Sequence, residues 1–121
     1  QNCRSLKSIK LPSTVTEIYY RAFYYCSNLT EVIFNDGLQK IGSWAFYNCT
    51  LESIKLPSTV TEIGDSAFNS CSNLRKVTFN NGLQKIGKWA FRNCTPLQSI
   101  TIPSSLVEIG NRAFCDCSNL R

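Results

Sequence analysis

The sequence contains no histidine and no methionine among its 121 residues. Without histidine the chain cannot form a Ser–His or Cys–His catalytic pair or a histidine-ligated metal site. Its apolar runs, such as Val32-Ile33-Phe34, are short, which excludes a transmembrane helix and a signal peptide within these residues. The missing initiator methionine and the abrupt stop at Arg121 lead us to expect a fragment of a longer protein.

Acidic residues are scarce as well, with eight against thirteen Lys and Arg and a net charge of +5. The whole excess lies in residues 71–93, which hold five basic side chains and no acid. Such a cluster suits an acidic protein or an acidic glycan. No nucleic-acid motif accompanies this cluster, so we expect no specific DNA or RNA binding. Because the apolar runs are short, we also expect no membrane insertion.

Cysteine recurs at positions 3, 26, 49, 71, 94 and 117, at intervals of 23, 23, 22, 23 and 23. Each interval repeats one apolar frame, which in the first unit is Cys3, Leu6, Ile9, Leu11, Val15, Ile18, Ala22 and Phe23. The third unit lacks one residue between Cys49 and Leu51, so its turn must be tighter. We predict one domain over 1–121, with repeats 3–25, 26–48, 49–70, 71–93 and 94–116 and a partial repeat 117–121.

Two of the units are near-copies and serve as an internal test. Residues 26–48 and 71–93 differ at six of 23 positions, none of which belongs to the frame. The six pairs are Thr30/Arg75, Glu31/Lys76, Ile33/Thr78, Asp36/Asn81, Ser43/Lys88 and Tyr47/Arg92. The frame is therefore predicted to be the core, and the variable positions are predicted to face solvent.

The frame predicts a β-rich solenoid of about five 23-residue repeats, with two short parallel strand ladders. The Ala-Phe step that follows the second strand suits a short helical turn. One unit alone cannot offset its backbone ordering cost, but stacked units share their apolar layers. A hairpin at Asn35-Asp36-Gly37 is the local alternative. Units one, three and five have Pro-Ser at that place, which a primed two-residue turn cannot accommodate.

The patterns Leu6-x-x-Ile9-x-Leu11-Pro12 and Ile63-Gly64-x-x-Ala67-Phe68-x-x-Cys71 resemble those of the BspA-like, or Treponema-type, leucine-rich repeat family. The resemblance covers essentially the whole chain. It implies a curved right-handed solenoid, often on the surface of bacteria or parasitic protists, that binds host proteins or other cells. Tyr19 departs from the pattern, because later units have Gly there, so either the backbone is distorted or Tyr19 covers an exposed end.

The cysteine column is interpreted as small buried apolar residues in reduced form. Neighbouring rungs about 4.8 Å apart would just permit disulfides. Zinc is not indicated, because Cys-x-x-Cys is missing and Cys115-Asp116-Cys117 is isolated, and we expect no metal or cofactor. Cys115 lies outside the column and is predicted to be exposed.

A second line reads Glu17, Lys40, Glu62, Lys85, Glu108. Two unshielded carboxylates could support glycoside hydrolysis, but a lysine separates each successive pair of glutamates. We interpret the line as an alternating charge ladder that favours the correct stacking register. No catalytic residue is predicted, and the chain is not expected to be an enzyme.

Two surfaces are candidates for partner binding. One is the outward face of the first strand ladder, the kind of surface on which solenoids commonly bind. The other is an edge rich in Trp and Tyr, whose rings either anchor a partner or pack on the neighbouring turn. The predicted binding residues are Lys7, Lys10, Glu31, Ile33, Lys55, Arg75, Lys76 and Thr78 on the first surface, and Trp44 and Trp89 on the second.

The first functional hypothesis is an adhesion module of a cell-surface or secreted protein, which binds a host or neighbouring-cell protein through the strand face. The alternative is an intracellular scaffold or regulator, cytoplasmic in location. Seven cysteines suit a reducing compartment better, because exposed thiols are liabilities outside the cell.

Overall fold

A computed structural model describes residues 5–120, so Cys3, the first member of the cysteine column, and Arg121 lie outside the described residues. The described part of the chain winds into a solenoid of successive coils, numbered here after the predicted units. Its strands are β1 (Ser8–Lys10), β2 (Glu17–Ile18), β3 (Glu31–Ile33), β4 (Lys40–Ile41), β5 (Ser53–Lys55), β6 (Glu62–Ile63), β7 (Lys76–Thr78), β8 (Lys85–Ile86) and β9 (Glu108–Ile109).

The second strands of the coils form one continuous parallel ladder in the order β2-β4-β6-β8-β9. Its register places Ile18, Ile41, Ile63, Ile86 and Ile109 in a single column. The hairpin alternative is wrong, because β3 pairs in parallel with β1 and not with the following strand β4. The period of the frame therefore outweighs the local turn signal.

The first strands form two separate pairs, β1 with β3 and β5 with β7. The division between β3 and β5 coincides with the residue that the third unit lacks. There the coils are joined by Thr50 N–H, which donates to the Leu29 carbonyl at 3.2 Å, and by a long bond of 3.4 Å from Glu52 N–H to the Thr30 carbonyl. The regular ladder is thus interrupted at this place while the coils stay in contact.

The predicted short helical turn at the Ala-Phe step is wrong, because residues 5–120 contain no helix. Each coil has two residues with left-handed backbone there, for example Trp44 at φ 61° and Asn48 at φ 60°. Alternate N–H groups point to the next coil: Phe46 N donates to the Ala67 carbonyl at 2.8 Å, and Asn48 N to the Asn69 carbonyl at 3.0 Å. Donors used between coils are not available to an α-helix, so the segment becomes a third inter-coil ladder of consecutive turns.

The core consists of the predicted frame. Phe46, Phe68 and Phe91 are fully buried. They continue a stack that runs from Phe23 to Phe114, with neighbouring ring centroids 5.1–5.3 Å apart and nearly parallel planes. The prediction that every frame column points into a shared interior is confirmed for the central coils.

The glycine column marks the closest approach of successive coils. A Cβ added at Gly64 would lie 2.7 Å from the Ser43 nitrogen and 2.8 Å from the Gly42 carbonyl carbon, both backbone atoms of the preceding coil. In the first coil Tyr19 takes this place with 69% of its surface exposed. Tyr19 keeps the turn bond of the later coils, since its carbonyl accepts from Ala22 N–H at 3.0 Å, as the Gly42 carbonyl accepts from Ala45 N–H, and its φ is not left-handed.

Candidate functional site

The outward side chains of the first strands form one exposed surface, which we call the strand strip. Alternation along each strand sends Ile9, Val32, Ile54 and Val77 inward and their neighbours outward. Every outward residue is exposed: Lys7, Ser8, Lys10, Thr30, Glu31, Ile33, Glu52, Ser53, Lys55, Arg75, Lys76, Thr78, Gln98, Ser99 and Thr101. Eight of the ten predicted binding residues thus share one face, and Ile33 is the large apolar side chain among them, 49% exposed.

The near-copies show which positions vary on this surface. Ten of the twelve residues at the six variable positions are exposed, and the shared frame residues fill the core. Ser43 and Tyr47 are half-buried, so the prediction that the variable positions face solvent is confirmed for the other ten. Glu31 and Asp36 make the second coil's exposed side acidic. Arg75, Lys76 and Asn81 make the equivalent part of the fourth coil basic. The two coils therefore present opposite charge from the same backbone geometry.

The aromatic edge lies in the turn segment that follows the second strand, apart from the strand strip. Trp44 packs edge-on to Tyr47 with ring centroids 5.0 Å apart, and Tyr47 stacks on Tyr24 at 5.2 Å. Arg21 lies over Tyr24, 4.7 Å from the ring centroid. In the first two coils these contacts fit the alternative in which the rings pack on the neighbouring turn. A side-chain hydrogen bond with Tyr47 raises the pKa of Tyr25.

The fourth coil has a different arrangement at the same edge. Trp89 is 40% exposed. Arg92 replaces the tyrosine that packs on Trp44 in the second coil, and its Nε lies 3.7 Å from Asp116 Oδ2. Trp89 is therefore the more accessible of the two tryptophans that the sequence predicted as binding residues.

The predicted charge ladder has the expected register, with Glu17 opposite Lys40, Lys40 opposite Glu62, and so on to Glu108. Lys40 Nζ lies 3.7 Å from Glu62 Oε1, and both side chains are substantially exposed. An exposed pair of this kind contributes under about 1 kcal/mol. This pair therefore adds little to stability, and the role of the ladder in favouring the register stays a prediction.

The described members of the cysteine column, from Cys26 to Cys117, are buried, and four of their thiols donate to backbone carbonyls of an earlier coil. The Sγ of Cys71 donates to the Phe46 carbonyl at 3.2 Å, and the Sγ of Cys94 donates to the Phe68 carbonyl at 3.3 Å. Burial raises the pKa of both thiols well above the ordinary value. Cys115 was predicted to be exposed but is half-buried. The sequence pattern located the column, but it contained no sign of the sulfur–carbonyl bonds between coils.

These thiols predict a loss of stability at alkaline pH. The folded pKa values of Cys71 and Cys94 lie above the ordinary 9.0, so the folded state keeps protons that the unfolded state releases. The stability linked to the neutral thiols is complete below that value and is lost as pH rises toward the folded pKa values. We expect the urea midpoint to fall above about pH 9, and to fall less steeply in Cys94→Ala. Equal slopes would contradict this.

Sequence reasoning missed two buried amides that join the coils beside the bends. Asn35 Nδ2 donates to the Val15 carbonyl at 2.7 Å, and Asn80 Nδ2 donates to the Val60 carbonyl at 2.8 Å. Both residues follow the strand-strip segment and occur in the even-numbered units. The only sequence signal was this repetition of Asn before Asp-Gly or Asn-Gly.

Comparison with known proteins agrees with the geometry. Residues 1–121 match the profile of the BspA type leucine rich repeat region in six copies. The chain belongs to this BspA-type family. The repeat of about 23 residues, the parallel strands and the leucine-rich core described above are thus those of a leucine-rich repeat solenoid. A search of curated proteins found no match.

Several solved structures are similar to the chain. The leucine rich repeat protein of T. pallidum is 36% identical with a TM-score of 0.92, over 95% of this chain and 56% of that one. The pneumococcal vaccine antigen PcpA is 34% identical with a TM-score of 0.84, over 91% and 28%. A leucine rich cell surface protein of Faecalibacterium prausnitzii is 31% identical with a TM-score of 0.69, over 96% and 38%. The chain thus spans little more than half, or less, of these proteins.

Two further properties of the BspA-type chain bear on function. Residues 5–120 contain no helix with the length and apolar character needed to cross a membrane. In the same range, no three or more Cys, Asp or Glu side chains are grouped so as to hold a metal ion.

Proposed function

We propose that the chain is a protein-binding module of a cell-surface or secreted leucine-rich repeat protein, and that it binds a host or neighbouring-cell protein through the strand strip. The observation that carries this proposal is the contrast between the two near-copies. Four of their six differences fall in or directly before the first strand and in the bend after it, and all eight residues at these four positions are exposed. Side chains vary there while the frame beneath stays the same, as expected of a recognition surface on a fixed scaffold.

Similar proteins support the location. One is described as a cell surface protein and another as a vaccine antigen. The cysteines are compatible with a location outside the cell, because Cys71 and Cys94 are buried. Burial keeps these thiols in the neutral form, which is poorly reactive. The intracellular scaffold is the second candidate, favoured by the cysteines from Cys26 to Cys117, which form no disulfide in the described residues. Antibodies against the chain that label intact, unpermeabilised source cells would support the first location, and labelling only after permeabilisation would support the second.

Binding can be tested with the labelled chain on intact host and bacterial cells, before and after protease treatment of the cells. The strip variant combines Ile33→Thr, which introduces the fourth coil's residue, with Lys55→Glu. We expect about tenfold weaker binding to the protease-sensitive component. Lys88→Glu, an exposed lysine of the turn segment, is the charge-matched control and should bind normally.

Unchanged melting curves would show that all three proteins are equally folded. If the strip variant bound like the parent, or if the Lys88 control lost as much affinity, the strand strip would not be the binding surface. Binding that survives protease treatment of the cells would argue against a protein partner.

A further inference from the structure

A cleft lies on the strand strip between the fourth and fifth coils. On one side β7 pairs with β5. On its other side, among the described residues, no backbone hydrogen bond joins residues 76–79 to residues 98–102. The same two coils are joined elsewhere, since β8 pairs with β9 and Phe91 N–H donates to the Ala113 carbonyl at 2.8 Å. The outer edge of β7 is thus an open strand edge inside an ordered stack.

The cleft has a volume of about 440 Å³. Half-buried Phe79 and Ile100 line it together with hydroxyl side chains, and Arg75 and Lys76 stand at its rim. No acid is among its lining residues. Neither ion pair found within residues 5–120 involves Arg75 or Lys76, although Glu52 precedes Arg75 in the same column. The two rim cations are therefore available to an anionic ligand.

We propose that this cleft binds an extended acidic peptide segment of a partner protein, which pairs its backbone with the open edge of β7 and places carboxylates at Arg75 and Lys76. The inference rests on the proposed function and names the partner chemistry for one part of the strand strip. An open edge offers alternating N–H and C=O groups, which a peptide backbone matches and a sugar chain does not. The second coil, with Thr30 and Glu31 at the rim positions, lacks the charge for the same ligand.

The test uses fluorescence anisotropy with a short synthetic peptide of alternating Glu and Val. The cleft variant Arg75→Thr with Lys76→Ser removes two positive charges and introduces residue types found in the same columns in other coils, Thr30 and Ser53. The control variant Lys88→Ser with Arg92→Tyr removes two positive charges from the turn segment and introduces the second coil's residues. We expect the cleft variant to lose affinity by about tenfold or more and the control to retain it.

Two further probes separate a peptide site from a generic anion site. The same peptide with N-methylated backbone amides should bind much more weakly, because it cannot donate to a strand edge. A sulfated oligosaccharide should not displace the parent peptide. Equal loss in both variants, undiminished binding of the methylated peptide, or displacement by the oligosaccharide would each overturn the proposal.

Failure here is distinguishable from failure of the proposed function. If cell binding depends on Ile33 and Lys55 while the acidic peptide does not bind at Arg75 and Lys76, the strand strip remains a recognition surface and only the cleft assignment falls. If cell binding does not depend on Ile33 and Lys55, and peptide binding does not depend on Arg75 and Lys76, both proposals fail.

Discussion

Phe68→Ala is expected to destabilise the protein by about 3–5 kcal/mol, the range for deletion of a fully buried phenylalanine. Phe68 is 0% exposed and its ring lies between those of Phe46 and Phe91, each centroid 5.2 Å away. The substitution leaves a cavity and removes two stacking contacts at once. Because each coil is stabilised by its neighbours, a defect in the central coil also uncouples the two halves of the stack.

Urea denaturation monitored by circular dichroism measures this effect. Phe114→Ala provides a graded comparison, since Phe114 is half-buried and stacks on Phe91 from one side. It should lower the free energy of unfolding by clearly less. Lys76→Ala, an exposed strip residue, should leave it nearly unchanged. Comparable losses in all three variants would contradict the assignment of inside and outside.

Gly64→Ala is expected to destabilise the protein by about 1–3 kcal/mol. The added Cβ would lie 2.7 Å from the Ser43 nitrogen, 2.8 Å from the Gly42 carbonyl carbon and 3.0 Å from the Ile41 oxygen. All three are backbone atoms, so no flexible side chain can move aside. The coils must separate where Gly64 N–H donates to the Ile41 carbonyl at 2.7 Å, which weakens the β4–β6 pairing.

A neighbouring substitution serves as the control. Ser43→Lys introduces the side chain that the fourth coil has at Lys88, which is exposed, and should leave the unfolding midpoint unchanged. Amide hydrogen exchange can localise the destabilisation. In Gly64→Ala, the backbone amide at position 64 should lose the most protection relative to the parent. A wild-type midpoint for Gly64→Ala would show that the coils do not approach as closely at this column as the structure indicates.

The strand strip was predictable to the extent that it depends on alternation. Ile54 and Val77 were recognised as frame residues, and a strand that buries them must send Lys55, Lys76 and Thr78 outward. The cleft beside β7 was not predictable. It depends on whether two coils that share the same frame also complete their hydrogen bonds, and side-chain pattern does not contain that information.

The sequence by itself determined the period, the register and the composition of the core, because a frame repeated every 22 or 23 residues can bury its Leu, Ile, Phe and Cys columns only by stacking in parallel. Only the tertiary structure determined the backbone conformation of the turn segment. Only it explains the glycine at Gly64, where backbone atoms of the preceding coil leave no room for a Cβ. Trp44 and Ser66 adopt φ values of 61° and 56°, which neither residue prefers locally. Hydrogen bonds to the next coil impose that backbone, and such bonds exist only once the neighbouring coil is in place.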